Sequence, residues 1–234
     1  MPPNNADRDA GRSAPETSDT GVAGRSARRE FQRRKANREA RVRDRFGRLG
    51  GLLLAVTDGP QSTRAWATGS RGEEKVAEAL FNIAALRVLN DRQMPGMRGN
   101  IDHIVVGPAG VFVVDAKNYR GRIEVRNRGW LLRPDHRLYV GRRDCSVLAT
   151  GLGWQVKAVV SALAAAGVDP LPPVTPVLCF VDGDWPIISP PNAYEGVRLE
   201  STKSIRKLVA TPEILAGPSV ERIADLLRVA LPGN

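Results

Sequence analysis

The chain has 234 residues, of which 42% are hydrophobic, and this is enough for one folded domain with a full core and extensions. Its net charge of +10 indicates a polyanionic partner. The two cysteines are far apart and lie outside any zinc-ligand spacing, which excludes a disulfide framework, and the polar N-terminus excludes a secretory signal.

The longest apolar run, residues 52–56, is far shorter than the roughly 20 residues that span a bilayer. We therefore expect a soluble cytoplasmic protein with no membrane partner. Cys145 and Cys179 both lie beside apolar residues, so we expect buried, reduced thiols.

The basic excess lies mostly in an N-terminal arm, residues 1–56, which we predict to be disordered and partly helical. Residues 1–50 hold 13 of the 35 Lys and Arg side chains and 7 of the 25 acidic ones, or +6 of the total charge of +10. The i, i+4 pair Glu30 and Arg34 favours a helix. The arm either contacts phosphates or is a solvated helix or flexible tail. The candidate phosphate contacts are Arg28, Arg29, Arg33, Arg34, Lys35 and Arg38.

A helix is predicted over residues 70–86, after a linker at 57–69. Its apolar stripe includes Val76, Leu80 and Ile83 at helical spacing. Glu73 precedes Val76 by three residues, so it lies on the buried side of the first turn. It either complements the helix dipole or belongs to a site beneath the helix.

A short strand at 87–90 and a loop at 91–99 lead into two strands, at 100–106 and 111–117, around a Gly/Pro turn. Asp102 lies on the first of these strands. Asp115 and Lys117 lie two residues apart on the second, so their side chains point to the same side. The spacing therefore predicts that the two carboxylates and the ammonium group share one spot.

Carboxylates in buried strands need a partner, and Mg²⁺ is the natural one because it binds carboxylate oxygens and keeps several waters. Such a centre suits attack of water on a phosphodiester. The alternative is that Asp115 and Lys117 form an internal ion pair or face water at a strand end. His103 should point to the opposite face, so we expect it to support the site or the core rather than act as a general base.

The remaining pattern predicts a hairpin from 122–126 and 130–133, a strand at 137–140, a helix at 152–165 and a strand at 174–181. Gln155 lies on the apolar face of that helix. Pro176 predicts a strand end or edge. A short strand at 197–199 and helices at 201–209 and 219–231 close the chain. The order predicts a mixed α/β fold, a central sheet with helices on its faces.

This order and these residues resemble the restriction-endonuclease-like superfamily of PD-(D/E)xK nucleases, and within it the nuclease-related domain called NERD. The resemblance rests on Gly72–Ala77, Asn100–Ile104, Gly110–Gly121 and Gln155–Val156, and spans about residues 69–181. It implies a three-layer core with a central mixed sheet. We accordingly predict a nuclease domain at 70–185 and a C-terminal extension, 186–234, packing on it.

The resemblance implies the site residues. Asp102, Asp115 and Lys117 match the superfamily's metal-and-lysine core, Glu73 matches its helix-borne acid, and Gln155 matches a helix glutamine. Together these five are the candidate catalytic residues. Asp102, Asp115 and Glu73 are the candidate ligands of Mg²⁺ or Mn²⁺.

The sequence therefore predicts a Mg²⁺-dependent nuclease that cuts DNA, with Arg120 as a further candidate phosphate contact or a cap of the strand. A second hypothesis is a nucleic-acid-binding module that keeps the fold without cutting. A third is a protein-interaction module whose arm docks a partner. The oligomeric state is left open.

Overall fold

The computed structural model describes residues 61–81, 83–96, 99–130 and 132–233, so the basic arm lies outside the described residues. Within these ranges the chain forms the helices α1 (Gln61–Phe81), α2 (Val147–Ala165), α3 (Ser204–Ala210) and α4 (Gly217–Ala230). The strands are β1 (Arg87–Gln93), β2 (Asn100–Gly107), β3 (Gly110–Lys117), β4 (Gly121–Asn127), β5 (His136–Val140), β6 (Arg143–Asp144), β7 (Val174–Phe180), β8 (Gly183–Asp184), β9 (Ala193–Tyr194) and β10 (Val197–Glu200).

The main sheet has six strands in the order β1-β2-β3-β7-β10-β9. Strands β1, β2 and β3 form an antiparallel meander, while β3, β7 and β10 run parallel. A smaller sheet follows the order β6-β5-β4-β8. Because β3, β7 and β10 are parallel, their carboxyl ends meet at one edge of the main sheet.

The side chains of β3 alternate between two cores, one on each face of the main sheet. Val111 and Val113 pack with α2, α4 and the inner side of the smaller sheet, on what we call the α2 face. Phe112 and Val114 pack with α1 and α3, on the α1 face. The predicted mixed α/β fold, with a central mixed sheet flanked by helices, is confirmed.

Helix α1 begins nine residues earlier than predicted and ends at Phe81 instead of 86. Residues 61–69, which we interpreted as linker, are therefore helical. The sequence Gly69-Ser70 suggested a helix start, but both residues are accommodated inside the helix, where a glycine costs about 1 kcal/mol relative to alanine.

The partner of β4 also differs from the prediction. Strand β4 pairs with β5, and Trp130 and Arg133 form only an isolated bridge. The reason is a wide turn, in which the Asn127 Oδ1 atom accepts hydrogen bonds from the N–H groups of Gly129 (2.9 Å) and Asp135 (3.0 Å). The chain thus re-enters the sheet only after Asp135.

Strand β7 lies between β3 and β10 and is not an edge strand, but Pro176 lies near its start, where β7 has only β3 as a neighbour. Pro176 is opposite Val113 of β3, whereas the pairing with β10 begins only at Val177. Backbone N–H groups alternate between the two neighbours, and the Val181 N–H donates to the Lys117 carbonyl of β3. The missing N–H of Pro176 therefore faces the other side, before the ladder with β10 begins.

Residues beyond 185 are part of the same body. Strand β10 extends the main sheet, α4 packs in the α2-face core, and the Pro232 carbonyl accepts a hydrogen bond from the Gln93 N–H (3.0 Å). The sheet thus continues past the predicted domain end at 185.

One described helix, α2, is long and apolar enough to cross a membrane, judged by length and composition alone. Core helices of soluble proteins meet the same criterion. Here Leu152, Val159 and Leu163 of α2 are buried in the α2-face core.

Candidate active site at the open end of the β2–β3 hairpin

Strands β2 and β3 separate at the end that lies away from their turn. Their paired register runs from Gly107 and Gly110 to His103 and Val114 and then stops. At the next position the Asp102 Oδ2 atom accepts a hydrogen bond from the Ala116 backbone N–H (3.0 Å). A carboxylate thus takes the place of a strand carbonyl and is fixed between the two strands.

Asp115 and Lys117 meet Asp102 at this opening. The Lys117 Nζ atom donates a hydrogen bond to Asp115 Oδ1, and the negative charge of Asp102 is close enough to raise the pKa of Asp115. Asp115 is only 8% exposed. All three side chains belong to the α2 face, because Asp115 and Lys117 continue the alternation of Val111 and Val113. The structure therefore brings together the three residues that the sequence placed at one spot.

The electrostatics of the site are those of two crowded acids with one nearby cation. Burial, followed by the negative charge of Asp102, raises the pKa of Asp115 from 3.8 to about 7, although Lys117 opposes the change. Burial tends to lower the pKa of Lys117, but Asp115 and Asp102 outweigh it and raise the pKa overall. Lys117 is therefore a firmly protonated cation that compensates only one of the two carboxylates.

This donor set fits a hard divalent cation. Mg²⁺ is commonly held by one or two carboxylates while it keeps several waters. The uncompensated negative charge of the Asp102 and Asp115 pair is what such an ion would neutralise. The internal ion pair that we considered as an alternative, Asp115 with Lys117, is also present, so the ion pair and the crowded carboxylates belong to the same site.

Glu73 is the third predicted ligand of the metal ion. In the described part of the chain, no three His, Cys, Asp or Glu side chains are grouped so that they could hold a metal ion. Glu73 is buried on the helix stripe that continues to Val76 and Leu80, and this stripe packs on the α1 face, opposite Asp115. The role of Glu73 as a third ligand beside the aspartates therefore stays a prediction.

Helix α1 nevertheless comes close to the end of β3. A Cβ atom at Gly72 would lie 3.0 Å from the Asn118 Cβ, so a glycine allows the helix to approach the residue that follows Lys117. Glu73 follows Gly72 and is therefore on the turn of α1 that approaches this edge of the sheet.

Gln155 lies on the α2 face with the aspartates. It sits between Leu152 and Val159 on the side of α2 that packs against the sheet. Its Oε1 atom is buried and has no hydrogen-bond partner among the described residues. Buried polar atoms are nearly always paired, so this acceptor is available to a group that enters the site.

His103 occupies the α1 face, as its position next to Asp102 suggested. It is fully buried, and its Nδ1 atom lies 2.8 Å from Asn90 Oδ1. Burial lowers the pKa of His103 to about 4, although Asp115 and Asp91 act in the opposite direction. A neutral, enclosed imidazole supports the strand and does not face the carboxylate pair.

Two features near the site were missed by the sequence analysis. Asp91 is 1% exposed and accepts a hydrogen bond from Asn100 Nδ2 (2.8 Å), although we assigned it to a loop. The Arg143 guanidinium stacks 4.5 Å above the ring of Tyr119. The polar run that continues β1 was the available signal for Asp91, whereas nothing local links Arg143 to Tyr119. Arg120 is exposed at the start of the smaller sheet.

The comparisons with known proteins agree with this geometry. The model of a family described as nuclease-related domain (NERD) matches residues 68–181, which include the greater part of α1, the separated strands and α2. No curated protein and no solved structure matches the chain. Over residues 68–181, just under half of its length, the chain thus matches the family of nuclease-related (NERD) domains.

Proposed function

We propose that this protein is a Mg²⁺-dependent nuclease that hydrolyses phosphodiester bonds of DNA. The observation that carries the proposal is the convergence of Asp102, Asp115 and Lys117 at the open end of the β2–β3 hairpin, inside a nuclease-related domain. A site with two carboxylates and an ammonium group is suited to a reaction in which negative charge builds up on phosphate oxygens.

Asp102 and Asp115 would hold the metal ion. When bound, Mg²⁺ or Mn²⁺ supplies Lewis acidity toward the phosphate and lowers the pKa of a water nucleophile. Asp102 is held in place beforehand by the Ala116 N–H, so little reorganisation is needed when substrate arrives.

Lys117 and Gln155 act on the substrate and on water. The protonated Lys117 Nζ atom donates hydrogen bonds to a non-bridging phosphate oxygen, where charge develops in the transition state. The Gln155 Oε1 atom, which has no hydrogen-bond partner in the described ranges, accepts a hydrogen bond from the attacking water and orients it. Both roles use groups that already lie on the α2 face.

DNA is the proposed substrate because of the charge distribution. The arm holds +6 of the total charge of +10, and duplex DNA binds cationic surfaces without regard to sequence. The arm residues from Arg28 to Arg38 would add affinity, and Arg120 lies three residues after Lys117.

A non-cleaving nucleic-acid-binding module is the second candidate. It is favoured by the absence of a third acidic ligand beside the two aspartates in the described ranges. It is also favoured by the internal pairs of Asp102 with Ala116 and of Asp115 with Lys117, which hold the site together without a metal ion.

The test is conversion of supercoiled plasmid by purified protein in Mg²⁺ and in EDTA. We expect nicked or linear product only in Mg²⁺, with the Asp115→Asn variant inactive. Asp225→Asn is the matched control, because Asp225 is an exposed carboxylate on α4. Equal cleavage by wild type and Asp115→Asn would show that the activity comes from elsewhere. No cleavage by any form, together with retained DNA binding, would favour the second candidate.

A further inference from the structure

The smaller sheet carries an unusual concentration of arginine. Residues 120–144 contain eight arginines and three acids, or +5, whereas residues 51–234 as a whole carry +4. The rest of that part of the chain is therefore close to neutral. We use the name arginine hairpin for β4, β5 and their connecting turn, residues 121–140.

The outer face of the arginine hairpin brings like charges together. Arg126 and Arg137 are directly opposite each other in the β4–β5 ladder, an arrangement that destabilises a sheet. Asp135 pairs with Arg137 (2.8 Å), but the compensation is only partial, since Glu124 serves both Arg122 (2.7 Å) and Arg126 (2.6 Å). A polyanion on this face would relieve the repulsion.

Further arginines around the hairpin are exposed. These are Arg120, Arg128, Arg133 and Arg142. In the described part of the chain, no acidic side chain lies within ion-pair distance of any of the four. A free guanidinium can donate two parallel hydrogen bonds to one phosphate.

The tip of the hairpin presents exposed apolar side chains. Trp130 is 77% exposed and Leu132 is 85% exposed. Trp130 and Arg133 exchange two backbone hydrogen bonds, of 3.1 and 2.9 Å. Gly129 has no room for a side chain, because a Cβ would collide with the Arg133 carbonyl. An exposed aromatic group flanked by arginines is suited to contact bases while the arginines hold phosphates.

The hairpin adjoins the open end of β2 and β3. Strand β4 begins four residues after Lys117, and Ile123, Leu138 and Val140 pack in the α2-face core. Arg143, which follows β5, stacks on Tyr119, two residues from Lys117. The charged surface is thus anchored to the face of the sheet that holds the carboxylates.

We propose that the arginine hairpin is the surface that binds duplex DNA beside the Asp102–Asp115 site. The arginines contact the phosphate backbone, and Trp130 and Leu132 contact bases at the tip. This inference rests on the proposed function for its choice of DNA. The main DNA-binding surface is then on the folded domain, where it can position a phosphodiester beside the carboxylates. The N-terminal arm only adds to the affinity.

The experiment compares two full-length variants that lose the same charge at different places. R128Q/R133Q/R142Q removes three arginines of the hairpin region that have no ion-pair partner among the described residues. K203Q/K207Q/R222Q removes three exposed cations that lie elsewhere: Lys203 just before α3, Lys207 in α3 and Arg222 in α4. Affinity for a short duplex is measured by fluorescence anisotropy at several salt concentrations, in EDTA so that no cleavage occurs. Thermal melting of both variants verifies folding.

We expect the hairpin variant to bind at least tenfold more weakly and its log–log salt slope to fall by about 2 to 3, since each phosphate contact contributes about 0.9. The control variant should bind within about twofold of wild type, because the cations that it removes make no phosphate contact. Equally weakened DNA binding by both variants would show that only net charge matters and would overturn the proposal. Unchanged DNA binding by the hairpin variant would also overturn it.

Trp130→Ala measures the contribution of the aromatic ring separately from that of the arginines. We expect weaker duplex binding with the salt slope unchanged, because every arginine that binds a phosphate is still present. Vesicles that contain phosphatidylserine are the second probe, and binding to vesicles but not to duplex would overturn the proposal in favour of a membrane surface. Because binding is read in EDTA, a protein that binds through the hairpin but never cuts would refute the proposed function and leave this inference standing.

Discussion

The two ends of the β2–β3 hairpin are built from the same strands and serve opposite purposes. At the turn end, Val105 faces Phe112 and Val106 faces Val111, and all four side chains are buried in apolar cores. At the open end the ladder stops and charged groups are held between the strands. The closed end contributes the packing that fixes both strands, and this packing allows the open end to hold two crowded carboxylates that destabilise it locally.

The largest effect on activity should come from the open end. Asp102→Asn keeps an oxygen that can accept the Ala116 N–H but removes the charge. We expect cleavage to fall by at least about 10³-fold, the scale of several kcal/mol of metal-based stabilisation, while the variant stays folded. Single-turnover rates and melting temperature of the same preparation measure the two effects. A variant that is unfolded as well as inactive would show that Asp102 is needed for the fold.

A substitution at the closed end should lower stability and leave cleavage nearly unchanged. Phe112→Ala removes a ring that is 3% exposed, and we expect a loss of about 3–5 kcal/mol in the free energy of unfolding. Cleavage per folded molecule should stay within about twofold of wild type. Denaturant unfolding and a cleavage assay at low temperature measure both quantities. A large loss of cleavage in fully folded Phe112→Ala protein would remove the distinction between the two ends.

The stability of the open end should depend on pH. The pKa of Asp115 is raised from 3.8 to about 7, so the folded state holds this proton more tightly than the unfolded state does. In EDTA, wild-type stability should therefore decrease relative to Asp115→Asn as the pH rises from about 4 to about 7 and should then level off. A difference that stays constant over this range would mean that the carboxylates are not crowded in solution.

The smallest effect is expected from the arm, which lies outside the described residues. Deletion of residues 1–50 removes +6 of charge and no described element. We expect the melting transition to be unchanged and DNA binding to weaken, with a salt slope reduced by about 0.9 for each phosphate that the arm binds. An unchanged slope would indicate that the arm serves a protein partner. A lost melting transition would show that it belongs to the fold.

The open end could be predicted because its signals are local. Two β-branched runs around a Gly/Pro turn specify a hairpin, and the two-residue period of a strand places Asp115 and Lys117 on one side. Glu73 could not be placed in the same way. Its spacing from Val76 shows that it is buried, but helical spacing does not reveal which face of the sheet the helix covers.

The smaller sheet and Pro176 show the same limit. The pairing of β4 with β5 depends on an Asn127 side chain that builds a wide turn, and the period of the strands does not contain this information. Pro176 is tolerated in a central strand because the neighbouring ladder starts one residue later. The partner of β4 and the tolerance of Pro176 both depend on where a neighbouring strand begins. Only the assembled sheet determines that position.

The most direct test of the site is a crystal structure of the protein soaked with Mn²⁺, with anomalous data collected at the manganese edge. We expect an anomalous peak bound by the carboxylates of both Asp102 and Asp115, and its loss in Asp115→Asn crystals soaked in the same way. A peak bound elsewhere, or an Asp102–Asp115 pair without manganese at a concentration that supports cleavage, would contradict the metal site on which the proposed nuclease activity depends.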